Sequence, residues 1–231
     1  FDFNDSELSP LLSKTGIGEI LKLSKSTGVM VKSICADYFM EAPLHSINEG
    51  VAKKSLLMLH NLVDSAKLLG IRDIVIPCVD QSSLSTEADA ARFVDVAKSI
   101  IGKFEEYGVN MSLETDLAPN SFLTLLECIG SENVTVNYDI GNSAALGFDP
   151  VEELKCYGHK ISDVHIKDRE LNGGPVVLGR GNANFDVFFA ALKEMNYRGP
   201  FIMQAYRDEE GVEIFLEQFN WVKPYLDSFY D

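Results

Sequence analysis

Six short apolar runs, rich in valine and isoleucine and separated by amphipathic stretches, constrain this chain more than any other feature. They cover residues 29–36 (VMVKSICA), 74–77 (IVIP), 109–115 (VNMSLET), 134–139 (VTVNYD), 161–167 (ISDVHIK) and 201–204 (FIMQ). Their weak alternation fits parallel strands covered on both faces. The stretches between them read as helices. Ala90, Val94, Ala97, Ile101 and Phe104 step by four and three, with Thr86 and Asp89 as a capping pair and Gly108 as the stop. Val51, Leu59, Leu62, Ala66 and Leu69 make a second stripe that closes at Gly70. Asp149-Pro150 opens a third helix and Gly158 ends it. The last helix is expected over 212–225, with Pro224 as a late break or kink.

Strand–helix alternation of this kind specifies an α/β fold with a parallel sheet. No glycine-rich turn follows the first strand, which argues against an open dinucleotide-binding sheet. A closed eight-stranded α/β barrel typically needs ~250 residues. The 231 residues here approach that length, and no low-complexity linker divides them, so 1–231 is expected to be a single domain.

Composition narrows the function classes. With 20 Lys and Arg against 35 Asp and Glu, the net charge is −15, which argues against nucleic acid or an anionic membrane as partner. No run of 18 apolar residues occurs, so a membrane span is not expected. Cys35, Cys78, Cys128 and Cys156 lack disulfide or metal-ligand spacing and suit reduced thiols, hence a cytoplasmic location. No secretory leader is visible, and the start at Phe1 raises the expectation of a missing N-terminal piece.

Four successive strand runs place a metal-ligand residue type at or near their ends: Glu114, Asp139, His165 and Gln204. Each has a plainer reading alone. Glu114 could be a solvated strand end, Asp139 a turn former and His165 a hydrogen-bonded core residue. Together they point to one shared site, because buried strands carry such groups when these are paired or hold a metal. In a barrel the C-terminal mouth is where chemistry is done. Two carboxylates, an imidazole and an amide oxygen suit Mn²⁺, Mg²⁺, Zn²⁺ or Co²⁺.

The motifs SLET, VNYDIGN, DVHIKDR, LGRGNANFD and NYRGPFIMQ fall in an order and spacing that resembles the xylose isomerase-like barrels. Within them the resemblance is to the sugar and sugar-phosphate 3-epimerase/isomerase group that includes L-ribulose-5-phosphate 3-epimerases. It implies a (β/α)8 barrel that holds one divalent cation between Glu114, Asp139, His165 and a fourth strand-end position. That group carries Glu at the fourth position, where this chain has Gln204. The resemblance also implies that the first β/α unit and most of the second strand are missing. Such an incomplete barrel has open strand edges, and a homo-oligomer could cover them.

The implied activity is isomerisation or epimerisation of a ketose or ketose phosphate through a cis-enediolate. Glu114 would transfer one proton, whereas Gln204 can bind but cannot transfer the other, so two-face epimerisation is expected to be impaired. Two rivals share the scaffold: a lyase resembling keto-inositol dehydratases, and a non-catalytic sugar-binding or vestigial homologue. For substrate contacts the candidates are Asn142, Lys167 (followed by Asp168), Arg180 and Arg207. Lys167 reads equally well as a salt-bridged strand end, and Arg180 as a solvated loop charge. Residues 35–45 contain no Arg or Lys, so a free sugar is as plausible as a phosphate ester.

Overall fold

The computed structural model describes residues 1–207 and 211–230. The chain forms two compact units, Phe1–Leu117 with Thr124–Thr135, and Ala118–Leu123 with Val136–Asp231.

In the first unit three parallel strands lie in chain order: β1 (Ser33–Cys35), β2 (Asp73–Cys78) and β3 (Asn110–Thr115). The helices are α1 (Lys14–Thr27), α2 (Tyr38–Glu41), α3 (Glu49–Leu69) and α4 (Glu87–Tyr107). The first strand is shorter than the apolar run at 29–36 predicts. Pairing begins at Ser33↔Asp73, preceded by bonds from the Arg72 and Asp73 N–H groups to Lys32 O. Upstream of it Val29 is 70% and Met30 51% exposed. Apolar, β-branched composition alone does not make a strand; a partner backbone must lie alongside.

The α3 stripe is as expected at Leu59, Leu62, Ala66 and Leu69, which are buried, whereas Val51 in the first turn is half-buried. Asn48 caps its start by accepting the Gly50 and Val51 N–H groups, and Gly70 stops it at φ 68°. The Thr86–Asp89 capping box also forms. Along α4, however, the buried line is Phe93, Ala97, Ile100 and Phe104, which keeps Ala97 and Phe104 of the expected stripe and turns it by about half a residue (~50°). Phe93 offers more apolar surface to bury than Ala90 or Val94, so it takes the core position and Ile100, on the same side, goes in with it.

Helix α5 (Pro119–Ile129) and strand β4 (Val134–Asp139) each contribute residues to both units. In the second unit β4 is followed by α6 (Ile140–Leu146), α7 (Pro150–Tyr157), β5 (Ile161–Ile166), the antiparallel ribbon β6 (Asp168–Arg169) and β7 (Pro175–Val176), α8 (Phe185–Glu194), β8 (Phe201–Met203) and α9 (Val212–Tyr230). The parallel register sets Asp139 against His165, and His165 against Ile202. The apolar side of this unit is aromatic: Tyr138 stacks on Phe188, and Phe189, Phe201, Tyr225 and Phe229 pack together.

Pro224 does not end the last helix, which runs on to Tyr230. Residues on both sides of the proline pack on the same aromatic cluster, Trp221 on Phe185 and Phe229 on Phe189 and Phe201. That packing outweighs the one lost backbone bond. Among the described residues β1, β2 and β3 run parallel in the first unit and β4, β5 and β8 in the second, with helices between them, the alternation of the (β/α)8 barrel class. No helix among them is long and apolar enough to cross a membrane. The four cysteines are free.

Candidate metal centre

Asp139 is the last residue of β4 and the N-cap of α6. One carboxylate oxygen, Oδ1, accepts the Asn142 N–H at 2.8 Å, as an aspartate at a helix start should. The cap fixes the carboxylate and turns its other oxygen, Oδ2, toward His165 and Lys167. His165 Nδ1 lies 4.0 Å from Oδ2, and Lys167 Nζ lies 3.3 Å from it. Lys167 Nζ also donates to Gln204 Oε1 at 3.3 Å. The Gln204 backbone is placed by β5, its N–H bonding Ile166 O at 3.1 Å.

Burial is steep at this end of the strands. Asp139 is 4% and His165 2% exposed, whereas Gln204 is half-buried. Asn137, two residues before Asp139 and therefore on the same side of β4, brings its amide to 3.2 Å from His165 Nδ1. Asn137 is not among the residues singled out from the sequence, although its two-residue spacing from Asp139 is a usable signal. In the first unit Glu114 holds the corresponding place near the end of β3, buried at 6% exposure and in register with Pro77.

The residues of the second unit suit a divalent cation. Asp139 and His165 offer ligand atoms within 4.8 Å of each other. The Lys167 ammonium marks the point on which the Asp139 and Gln204 oxygens converge, so a positive charge is already accommodated there. A carboxylate, an imidazole and an amide oxygen form a donor set that accepts Mn²⁺, Mg²⁺, Zn²⁺ or Co²⁺.

The expected substrate contacts separate into three groups. Lys167 and Arg207 line one cleft of about 670 Å³ with Gln204, Met203, Tyr206 and Phe215. Asn142 is buried, and its side-chain oxygen accepts from Arg169 Nη1 at 2.8 Å, so that oxygen is already engaged. Arg180 is exposed on the loop that follows β7.

Two further carboxylates have roles that the sequence did not show. Asp168 is fully buried and accepts the N–H groups of Gly179, Gly181 and Ala183 at 2.9, 2.9 and 3.0 Å, which ties down the LGRGNA loop. A Cβ at Gly181 would collide with the Asp168 carboxylate, so only glycine fits there. Glu153, on α7, is buried and receives the Tyr138 and Tyr157 hydroxyls at 2.6 Å each, together with the Ser143 hydroxyl. Burial pushes its carboxyl above the ordinary carboxylate range, and the hydroxyl bonds oppose that push.

The profile of the xylose isomerase-like TIM barrel matches residues 1–225, and the chain belongs to that family. Among curated relatives, the L-ribulose-5-phosphate 3-epimerase UlaE of Salmonella paratyphi C is 27% identical over 212 residues, covering 87% of this chain and 74% of its own length. Among solved structures, a D-tagatose 3-epimerase-like protein aligns at TM-score 0.78 and 22% identity, covering 95% of this chain and 85% of that one. A xylose isomerase-like TIM barrel protein of Mycobacterium smegmatis, crystallised with magnesium, aligns at TM-score 0.73 and 19% identity, covering 96% and 81%.

Proposed function

We propose that this chain is a divalent-cation-dependent isomerase or epimerase that acts on a ketose or ketose phosphate. The observation that carries the reading is the convergence of Asp139 Oδ2 and Gln204 Oε1 on one positive charge beside His165. The naming of the curated relatives as sugar-phosphate 3-epimerases supports the substrate class. Asp139, His165, Gln204 and Glu114 are the proposed ligands. When bound, the cation supplies Lewis-acid polarisation of the substrate carbonyl.

The remaining work falls to side chains. Glu114 takes the proton α to the carbonyl, leaving a cis-enediolate on the substrate. Asp139, fixed by its cap, holds the substrate-facing geometry. Gln204 orients a hydroxyl through its amide but can neither take nor return a proton. General acid–base help at one face is therefore lost, which typically lowers rate ~10²–10⁴-fold. Lys167 and Arg207 are proposed to meet substrate oxygens in the cleft, and Arg180 to meet a phosphate where one is present. A second reading, a sugar-binding protein without turnover, is favoured by Gln204 alone.

The test measures cation content, and solvent-deuterium exchange at C3 of ketoses, for the wild type and Gln204→Glu. The wild type should bind cation and exchange slowly, and the variant should gain inversion at C3. If neither protein binds cation nor exchanges a proton, the enzyme reading is wrong. Cation binding without exchange by either protein would leave the sugar-binding reading.

A further inference from the structure

We infer that Lys167 and the divalent cation are alternative occupants of the same oxygens, so that loading the cation transfers the Lys167 ammonium to the substrate cleft. The inference rests on the cation-dependent reading above and adds a role for a residue that reading uses only as a contact.

Three observations carry it. Asp139 Oδ1 is engaged by the helix cap, and Lys167 binds the second oxygen, Oδ2, at 3.3 Å. The same ammonium binds the side-chain oxygen of Gln204, also at 3.3 Å. In the second unit, then, the carboxylate and amide oxygens that would serve a cation already serve an internal one. The charges balance as well: Asp139 contributes one negative charge, Lys167 one positive, and Gln204 none. A doubly charged ion on these oxygens would lie within bonding range of an ammonium, among buried groups where water screens little.

One of the two cations must withdraw, and the structure gives Lys167 a place to go. Its stem is anchored against Gly141, where an added Cβ would meet Lys167 Cγ at 2.8 Å and its carbonyl carbon at 3.0 Å. The Lys167 side chain is 18% exposed and borders the cleft that Gln204, Tyr206 and Arg207 also line. A short swing of the terminal torsions carries Nζ from the two oxygens into that cleft. There the ammonium can meet a carbonyl, hydroxyl or phosphate oxygen of the substrate. Cation and anionic substrate would then bind with positive coupling, because the first frees a donor for the second.

The competing possibility is that Lys167 orients the Asp139 carboxylate for the cation, and the two have opposite signs under mutation. Mn²⁺ binding is measured by titration calorimetry for the wild type, Lys167→Met and Lys167→Arg. Competition predicts that Lys167→Met binds Mn²⁺ about tenfold tighter or more, with Lys167→Arg near the wild type because the charge is kept. Equal or weaker binding by Lys167→Met overturns the inference while leaving the cation reading intact. Failure of every protein to bind Mn²⁺ overturns the cation reading, and the competition with it. A second measurement needs no variant: acetylation of Lys167 by an acetylating reagent, followed by mass spectrometry with and without Mn²⁺. Mn²⁺ should raise acetylation at Lys167 severalfold, and unchanged or slower labelling would overturn the proposal.

Discussion

Asp139 and Glu153 are both buried carboxylates of the second unit, yet their neighbours differ in kind. Glu153 is surrounded by the hydroxyls of Tyr138, Ser143 and Tyr157, neutral donors on buried side chains. Asp139 is met by one backbone N–H and by the end of a long flexible cation. Asp168, one residue after Lys167, resembles Glu153 in this respect, since three backbone N–H groups fill it. A carboxylate enclosed by fixed donors stabilises the fold. One held by a movable charge can exchange that charge for a ligand. Burial alone does not tell the two apart; the mobility of the partner does.

The largest effect expected from breaking this contrast comes from Asp139→Asn. The amide keeps the α6 cap but loses the charge, so Mn²⁺ affinity and C3 exchange should fall by at least about 100-fold with little change in melting temperature. A comparable fall in melting temperature would place Asp139 with the structural carboxylates. Asp168→Ala should do the reverse, leaving three backbone donors without their acceptor and lowering stability by about 3 kcal/mol in urea titration. Asp168→Asn, which keeps one oxygen, should cost less.

Glu153 tests the contrast through pH. Its carboxyl is raised in the folded protein, so the folded state holds the proton more tightly than the unfolded chain. The stability this contributes is complete below the unfolded carboxylate value, about 4.3, and is lost as pH climbs from there to the raised folded value. Glu153→Gln should flatten that decline, and parallel pH–stability curves for the two proteins would contradict the assignment. The smallest effect is expected at the exposed Arg180. Arg180→Gln should change stability by no more than about 0.5 kcal/mol and leave a free ketose unaffected, weakening only a phosphorylated one.

Much of this was legible locally. Thr86 with Asp89, Asp149 before Pro150, and Gly70 and Gly108 at helix ends act within one turn, so their residue types suffice. The polar strand ends were legible because carboxylates and imidazoles are rare in buried strands without a reason. Other features were not. The first strand shrank to Ser33–Cys35 because the position of β2, not the composition of residues 29–36, sets where pairing begins. That Arg169, from another element, binds the Asn142 side-chain oxygen is a relation no local pattern showed.

By itself, then, the sequence determined the strand–helix alternation, the helix caps and the candidate ligand types, since each depends on residues a few positions apart. Tertiary structure alone decided what each buried charge faces. Lys167 meets Asp139 and Gln204 from separate elements, and Asp168 meets a loop that begins beyond β7. A charge's function follows from which partner the packed chain presents to it and whether that partner can leave. Those relations exist only once the backbone has brought distant segments together.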